Sequence, residues 1–296
     1  LVPIDGSFEI LLNPMYKSEV RLWRLVIILF LGMWASCTLP RKHSVKLTNL
    51  EKSLADSLLA HALDHEALYT LADTLKPMSS IRLLRLGFAK DSNYVDGWST
   101  VVTNDSLLRL AESYHRVCSA LSKGDWLFLT IPFERTEKKI RNMEVYVIRR
   151  SVFARTMQRH ASFFGQWGFT PSTAPATVVS VVEYERKLDR YRGYGYLFGY
   201  PDHAVDFFVE AARRQDMDSS HLLVARDFHA IPVFAAERGY FTYAVPKGHR
   251  TNLQDSVIRT KAMRTLDVYR RMRTKYQKNR GMPGRSLWSA MRRRTA

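Results

Sequence analysis

Two histidines, His61 and His65, lie four residues apart in HALDHE, a spacing that lets both imidazoles face one point from a helix. That is half of a zinc site, with Asp64 and Glu66 as the nearby carboxylates. The zincin pattern needs a glutamate directly after the first histidine to activate a metal-bound water, and Ala62 stands there. Both histidines also fall on the apolar stripe of their own segment, so a half-buried, hydrogen-bonded pair is the simpler reading. Hydrolase chemistry finds no G-x-S-x-G, and Cys118 with His115 lacks a third group to orient the base. His203, His221, His229 and His249 are scattered along the chain. Catalytic residues therefore stay unassigned, enzyme status stays open, and the sequence implies no cofactor.

RYRGYGYLFGYP offers a second chemistry. Gly193, Gly195 and Gly199 miss the dinucleotide fingerprint by one residue, and a helix rather than a strand precedes them. Tyr191, Tyr194, Tyr196 and Tyr200, beside Arg190 and Arg192, suit a stacking platform for a ligand. As a glycine-hinged turn between two packed helices, the same tyrosines fill the core with their hydroxyls at the rim, which is the reading favoured here.

The third feature is charge. Of a formal +17 over 296 residues, the stretch from Arg250 to Ala296 carries +12, with 14 Lys/Arg against Asp255 and Asp267. A local excess of that kind points to an anionic partner. Leu253, Val257, Ile258, Ala262, Leu266, Tyr269, Met272 and Tyr276 follow a helical stripe, while Arg259, Lys261, Arg264, Arg270, Arg271, Arg273 and Lys275 lie mainly elsewhere around it. Arg292, Arg293 and Arg294 add charge in the tail. Such a helix can dock its stripe and leave a solvated basic face, lie on anionic lipid, or use counterion release on nucleic acid.

Which partner is available depends on RLWRLVIILFLGMWASC, residues 21–37. Its uninterrupted apolar run, Leu25 to Ala35, is about half of what a membrane-spanning helix needs. No polar face breaks it, as one would in a buried amphipathic helix. Lys17, Arg21 and Arg24 supply a positive flank, and Ala35 and Ser36 the small residues of a cleavage site. With Cys37 next, the segment from Met15 resembles a bacterial lipoprotein signal. The resemblance implies that Cys37 becomes the lipid-bearing N-terminus, anchored in the cell envelope and facing outside the cytosol. A plain secretory signal, an uncleaved anchor and a packed helix are the alternatives. Met15 looks like a natural start, which would make residues 1–14 an upstream extension. Export ranks anionic lipid or an envelope polymer above nucleic acid as partner, and without export that order reverses. Cys118 is then left single in a helical segment, as a small buried apolar group or as the disulfide partner of Cys37.

These features need elements to position them. Thr48 and Glu51 have capping-box spacing ahead of a helix, or two helices jointed at Asp64, that runs to about Leu75. SIRLLRLGF suits a short strand. Asn104 caps a helix to about Ser122, and WLFLTIPF with MEVYVIRR reads as a hairpin around a charged turn. Ser151 is expected to cap a helix to about Gln166, a further helix begins near Ala176, and Pro201 sits at the first turn of another. A second hairpin fits FHAIPVFAAERGYFTYAV, followed by a basic helix over 252–278 and a tail. This order predicts an α+β fold, predominantly helical with two short β-hairpins, rather than alternating βαβ units. The organisation expected is a leader (1–36), a tether (37–47), a globular domain (48–249) and a basic C-terminal helix and tail (250–296). The function expected is an envelope-associated lipoprotein whose basic helix contacts an anionic surface or partner. The alternatives are an exported, metal-dependent enzyme using His61 and His65, and a cytosolic nucleic-acid-binding protein.

Overall fold

A computed structural model describes residues 45–88, 104–218, 223–276 and 283–295. The leader and Cys37 lie outside the described residues. Strand β3 (Ile140–Arg149) is the middle of a three-stranded antiparallel sheet, between β1 (Met78–Gly87) and β2 (Trp126–Glu137). Its stretch from Met143 to Ile148 is buried throughout, because both sheet faces are covered. That double cover explains why MEVYVIRR reads as a nearly unbroken apolar run instead of alternating. Lys138 and Lys139, with φ of 49° and 63°, close the β2–β3 hairpin in the left-handed conformation that a two-residue loop requires. A separate hairpin pairs β4 (Arg226–Ile231) with β5 (Phe241–Pro246). The fold is α+β and predominantly helical, and β1 turns the first expected hairpin into a three-stranded sheet.

Two helical layers cover the sheet. Val145 and Val147 join the larger core, formed with α1 (Asn49–Asp64), α2 (Leu68–Leu71), α3 (Asp105–Leu121) and the β4–β5 hairpin. Tyr146 and Ile148 face the other way, toward α4 (Arg150–Arg159), α5 (Ala161–Phe164), α6 (Pro175–Tyr184), α7 (Lys187–Leu197) and α8 (Asp202–Met217). The capping box at Thr48 and Glu51 opens α1, and Asn104 caps α3. The expected helix from Ser151 to Gln166 is broken at His160, and Ser151 does not cap it. Asp125 does so from the end of β2's approach loop: its Oδ1 accepts from the Ser151 amide at 2.7 Å, and its Oδ2 from Arg149 Nε at 2.9 Å.

The glycine segment differs most from expectation. Gly193 and Gly195 lie inside α7 rather than in a turn. A Cβ on Gly193 would fall 2.7 Å from Val182 Cγ1, and one on Gly195 2.7 Å from Val205 Cγ2. The absent side chains therefore let α7 approach α6 on one side and α8 on the other. Gly199, at φ 75°, ends the segment where a Cβ would meet the Leu75 carbonyl at 2.6 Å.

The basic C-terminal region is built into the larger core. Helix α9 (Leu253–Tyr276) buries Ala262, Leu266, Tyr269 and Met272. The tail forms a helix as well, α10 (Pro283–Thr295), which buries Leu287, Trp288, Ala290 and Met291. Gly284 lets α10 come against the α1 backbone at Asp56, whose carboxylate accepts from the Arg285 amide at 2.9 Å. Beneath the β4–β5 hairpin, the fully buried Lys76 ammonium lies 2.7 Å from Glu66 Oε2 and 4.4 Å from the Phe241 ring centre. Burial lowers the Lys76 pKa, and its partner Glu66 opposes that shift.

Candidate functional site

Helix α9 presents two opposite faces. The buried side carries Ala262, Leu266, Tyr269 and Met272, and the other side carries Lys261, Arg264, Arg271 and Lys275, all exposed. Steps of three, seven and four residues keep these four cations within about 80° of one another around the axis, over about 21 Å of its length. Among the described residues none of the four makes a hydrogen bond or an ion pair. The same line begins with Leu253 and Val257, which are 79% and 43% exposed instead of packed. The face is thus apolar at its first turn and cationic beyond it.

The other expected cationic residues divide differently. Arg273 is drawn inward, its Nε and Nη2 each 3.0 Å from the two Asp64 oxygens, while Tyr269 donates to Asp64 Oδ1 at 2.6 Å. Arg270 pairs with Glu237 at 3.5 Å and Asp267 at 3.7 Å. Arg292 lies over the Trp126 and Trp288 rings, 5.0 Å from each centre. Arg293 is exposed and reaches Ser289 Oγ at 3.4 Å, and the Arg294 side chain lies outside the described residues.

The tyrosines are shared between packing and two concavities. Tyr194 donates to Glu183 at 2.6 Å, and Tyr196 stacks on His160 with ring centres 3.7 Å apart. Tyr191, Tyr194 and Tyr200, with Phe198, Phe208 and Phe228, line an apolar cavity of about 350 Å3. Tyr196 and Tyr200 border a cleft of about 480 Å3 that also holds Arg155, Arg159, His160, Asp202 and Lys261. Arg159 is neutralised there by Asp202 at 2.7 Å. The cleft opens beside Leu253 and Val257, so it continues the exposed line of α9.

His61 and His65 stack on each other, ring centres 4.0 Å apart, and His65 Nδ1 lies 2.8 Å from the His61 carbonyl. Desolvation chiefly, with the neighbouring His65 charge, lowers the His61 pKa. The carboxylates nearest in sequence are engaged elsewhere, Asp64 with Arg273 and Tyr269, and Glu66 with Lys76. Three other groups meet instead: His203, His249 and Asp255 bring their donor atoms within 4.8 Å of one another. One signal in the sequence pointed there. Asn252 and Asp255 have the reciprocal spacing of a helix start, which fixes a carboxylate close to His249.

The chain matches no protein-family model, no curated protein and no solved structure. Among the described residues, no helix is long and apolar enough to cross a membrane.

Proposed function

We propose that this chain is an envelope-tethered accessory protein, held through a lipid on Cys37, that lies against an anionic lipid surface along one face of α9. The observation that carries the reading is the exposed line Lys261, Arg264, Arg271 and Lys275, unpaired among the described residues and headed by the exposed Leu253 and Val257. A solvated basic face has no need of exposed aliphatics, whereas an interfacial helix uses both: cations for the headgroups and aliphatics for the acyl boundary. Each cation near an anionic leaflet contributes about 1 kcal/mol, so the four together supply about 4 kcal/mol at low salt. That suffices for reversible association, and the lipid is the second signal that stable anchoring requires.

The test is sedimentation of the non-lipidated Cys37→Ser protein with phosphatidylglycerol-containing vesicles at low and at physiological salt. That protein is expected to bind in a salt-sensitive way, and its Lys261→Glu/Arg264→Glu/Arg271→Glu/Lys275→Glu variant to stay in solution. Binding by the variant equal to that of its parent removes the reading. Equal binding to neutral vesicles does so as well, and preference for an anionic polymer over lipid moves the partner to the envelope polymers.

A further inference from the structure

Two stretches distant in the chain converge near the start of α9. His203 comes from the first turn of α8, His249 from the turn after β5, and Asp255 from the first turn of α9. His249 Nε2 lies 2.9 Å from Asp255 Oδ2, and His203 Nε2 lies 3.3 Å from Asp255 Oδ1. The two imidazoles are nearly parallel, 15° apart with centres separated by 5.1 Å. We propose that His203, His249 and Asp255 form a binding site for a divalent transition-metal ion of the zinc class.

The dimensions fit. Bonds of about 2.0–2.1 Å in a tetrahedral set place neighbouring donor atoms about 3.3 Å apart, and each imidazole nitrogen lies near that distance from one of the two Asp255 oxygens, at 2.9 and 3.3 Å. Two imidazoles and one carboxylate are also the donor types that such an ion takes in sites with three protein ligands.

Helix capping does not account for the group. Asp255 and Asn252 form a reciprocal cap: Asp255 Oδ2 accepts from the Asn252 amide at 3.0 Å, and Asn252 Oδ1 accepts from the Asp255 amide at 3.0 Å. That exchange explains the carboxylate and needs neither imidazole. Moreover, His203 Nε2 is closed to solvent and, among the described residues, makes no hydrogen bond, despite its distance of 3.3 Å from Asp255. A buried ring nitrogen left without a partner is uncommon, and an ion is one of the few things that satisfies it.

The surroundings serve a ligand set too. His203 Nδ1 lies 3.3 Å from Gln254 Oε1 and 3.2 Å from Asn252 Nδ2, and a metal on Nε2, which puts the ring proton on Nδ1, selects the Gln254 contact. Tyr243 donates to Asp255 Oδ1 at 2.7 Å, which orients the carboxylate. Asp255 and Tyr243 also line a cavity of about 750 Å3, with His229 on its wall. A tetrahedral ion with three protein ligands keeps its fourth position open. The site therefore borders a space able to admit a small ligand.

The experiment uses the tag-free full chain, stripped with a chelator and titrated with zinc chloride by calorimetry, and with cobalt chloride by visible absorption. One zinc per chain is expected, with affinity weakened at least about 100-fold by His203→Ala or by His249→Ala. His61→Ala/His65→Ala should bind as wild type does. Cobalt bound to wild type should give the intense visible bands of a four-coordinate site, a readout that needs no variant to fold. The proposal is overturned by the absence of saturable zinc binding, by the weak bands of six-coordinate cobalt, or by binding that fails only in the His61/His65 variant.

Discussion

Replacing Glu144 by glutamine should change how stability depends on pH. Glu144 lies on the central strand, buried, and has no hydrogen-bond or ion-pair partner among the described residues. Burial, reinforced by the charge on Glu66, pushes its carboxyl up to about 7 from an ordinary value of 4.5. The folded state therefore holds a proton between those values that the unfolded state has released. The resulting stability is complete below pH 4.5 and is lost as pH rises through 7. A difference of about 2.5 units at about 1.4 kcal/mol each makes the ionised side chain cost about 3 kcal/mol above neutrality. Glutamine keeps the shape and cannot ionise. Urea denaturation of wild type and Glu144→Gln at pH 4 and pH 8 should show near-equal stability at the first and an advantage of about 3 kcal/mol for the variant at the second. His61 and His160, lowered chiefly by desolvation, give the opposite slope near pH 6.5, but they are common to both proteins and cancel in the difference. An advantage that is the same at both pH values would refute the reasoning.

Three further outcomes follow from packing. Lys138→Asn/Lys139→Gly places the residues suited to left-handed turns at the β2–β3 loop and should raise stability by about 1 kcal/mol, read as a higher Tm. Gly195→Ala should cost about 1–3 kcal/mol through its clash with Val205, and adding Val205→Ala should recover part of that, so the double mutant is more stable than the two losses summed. Trp288→Ala should cost about 3–5 kcal/mol in chemical denaturation, because its ring meets Trp126 and Phe128 inside the larger core.

Local signals carried much of the fold. The capping box at Thr48, the Asn104 cap and both hairpins rest on neighbours close in sequence, where type and spacing decide the structure. Other features depend on contacts that no short window contains. Asp125 caps α4 from outside the helix, and β1 reaches the free side of β3 only across the intervening α3. Gly193 and Gly195 read as a hinge because glycine usually breaks helices, whereas tight packing against Val182 and Val205 outweighs that cost. The stripe on α9 was legible from Ala262 to Met272, but Leu253 and Val257 fall outside it, on the exposed line that borders an open cleft. For the candidate residues, periodicity separated Arg264, Arg271 and Lys275 from the core but could not foresee that Arg273 would be taken by Asp64, 209 residues away. His203 and His249 stayed invisible as a pair because only tertiary folding joins them.

The orientation of α9 on a membrane is the measurement closest to the central proposal. In a Cys37→Ser background, Cys118 is a buried thiol pushed up to about 12 by burial, so an added surface cysteine can be labelled selectively. A polarity-sensitive fluorophore at Val257→Cys should shift to the blue on anionic vesicles, while the same probe at Arg109→Cys on α3 should not. Equal shifts at both positions, or none at Val257→Cys while the protein is bound, would contradict the account.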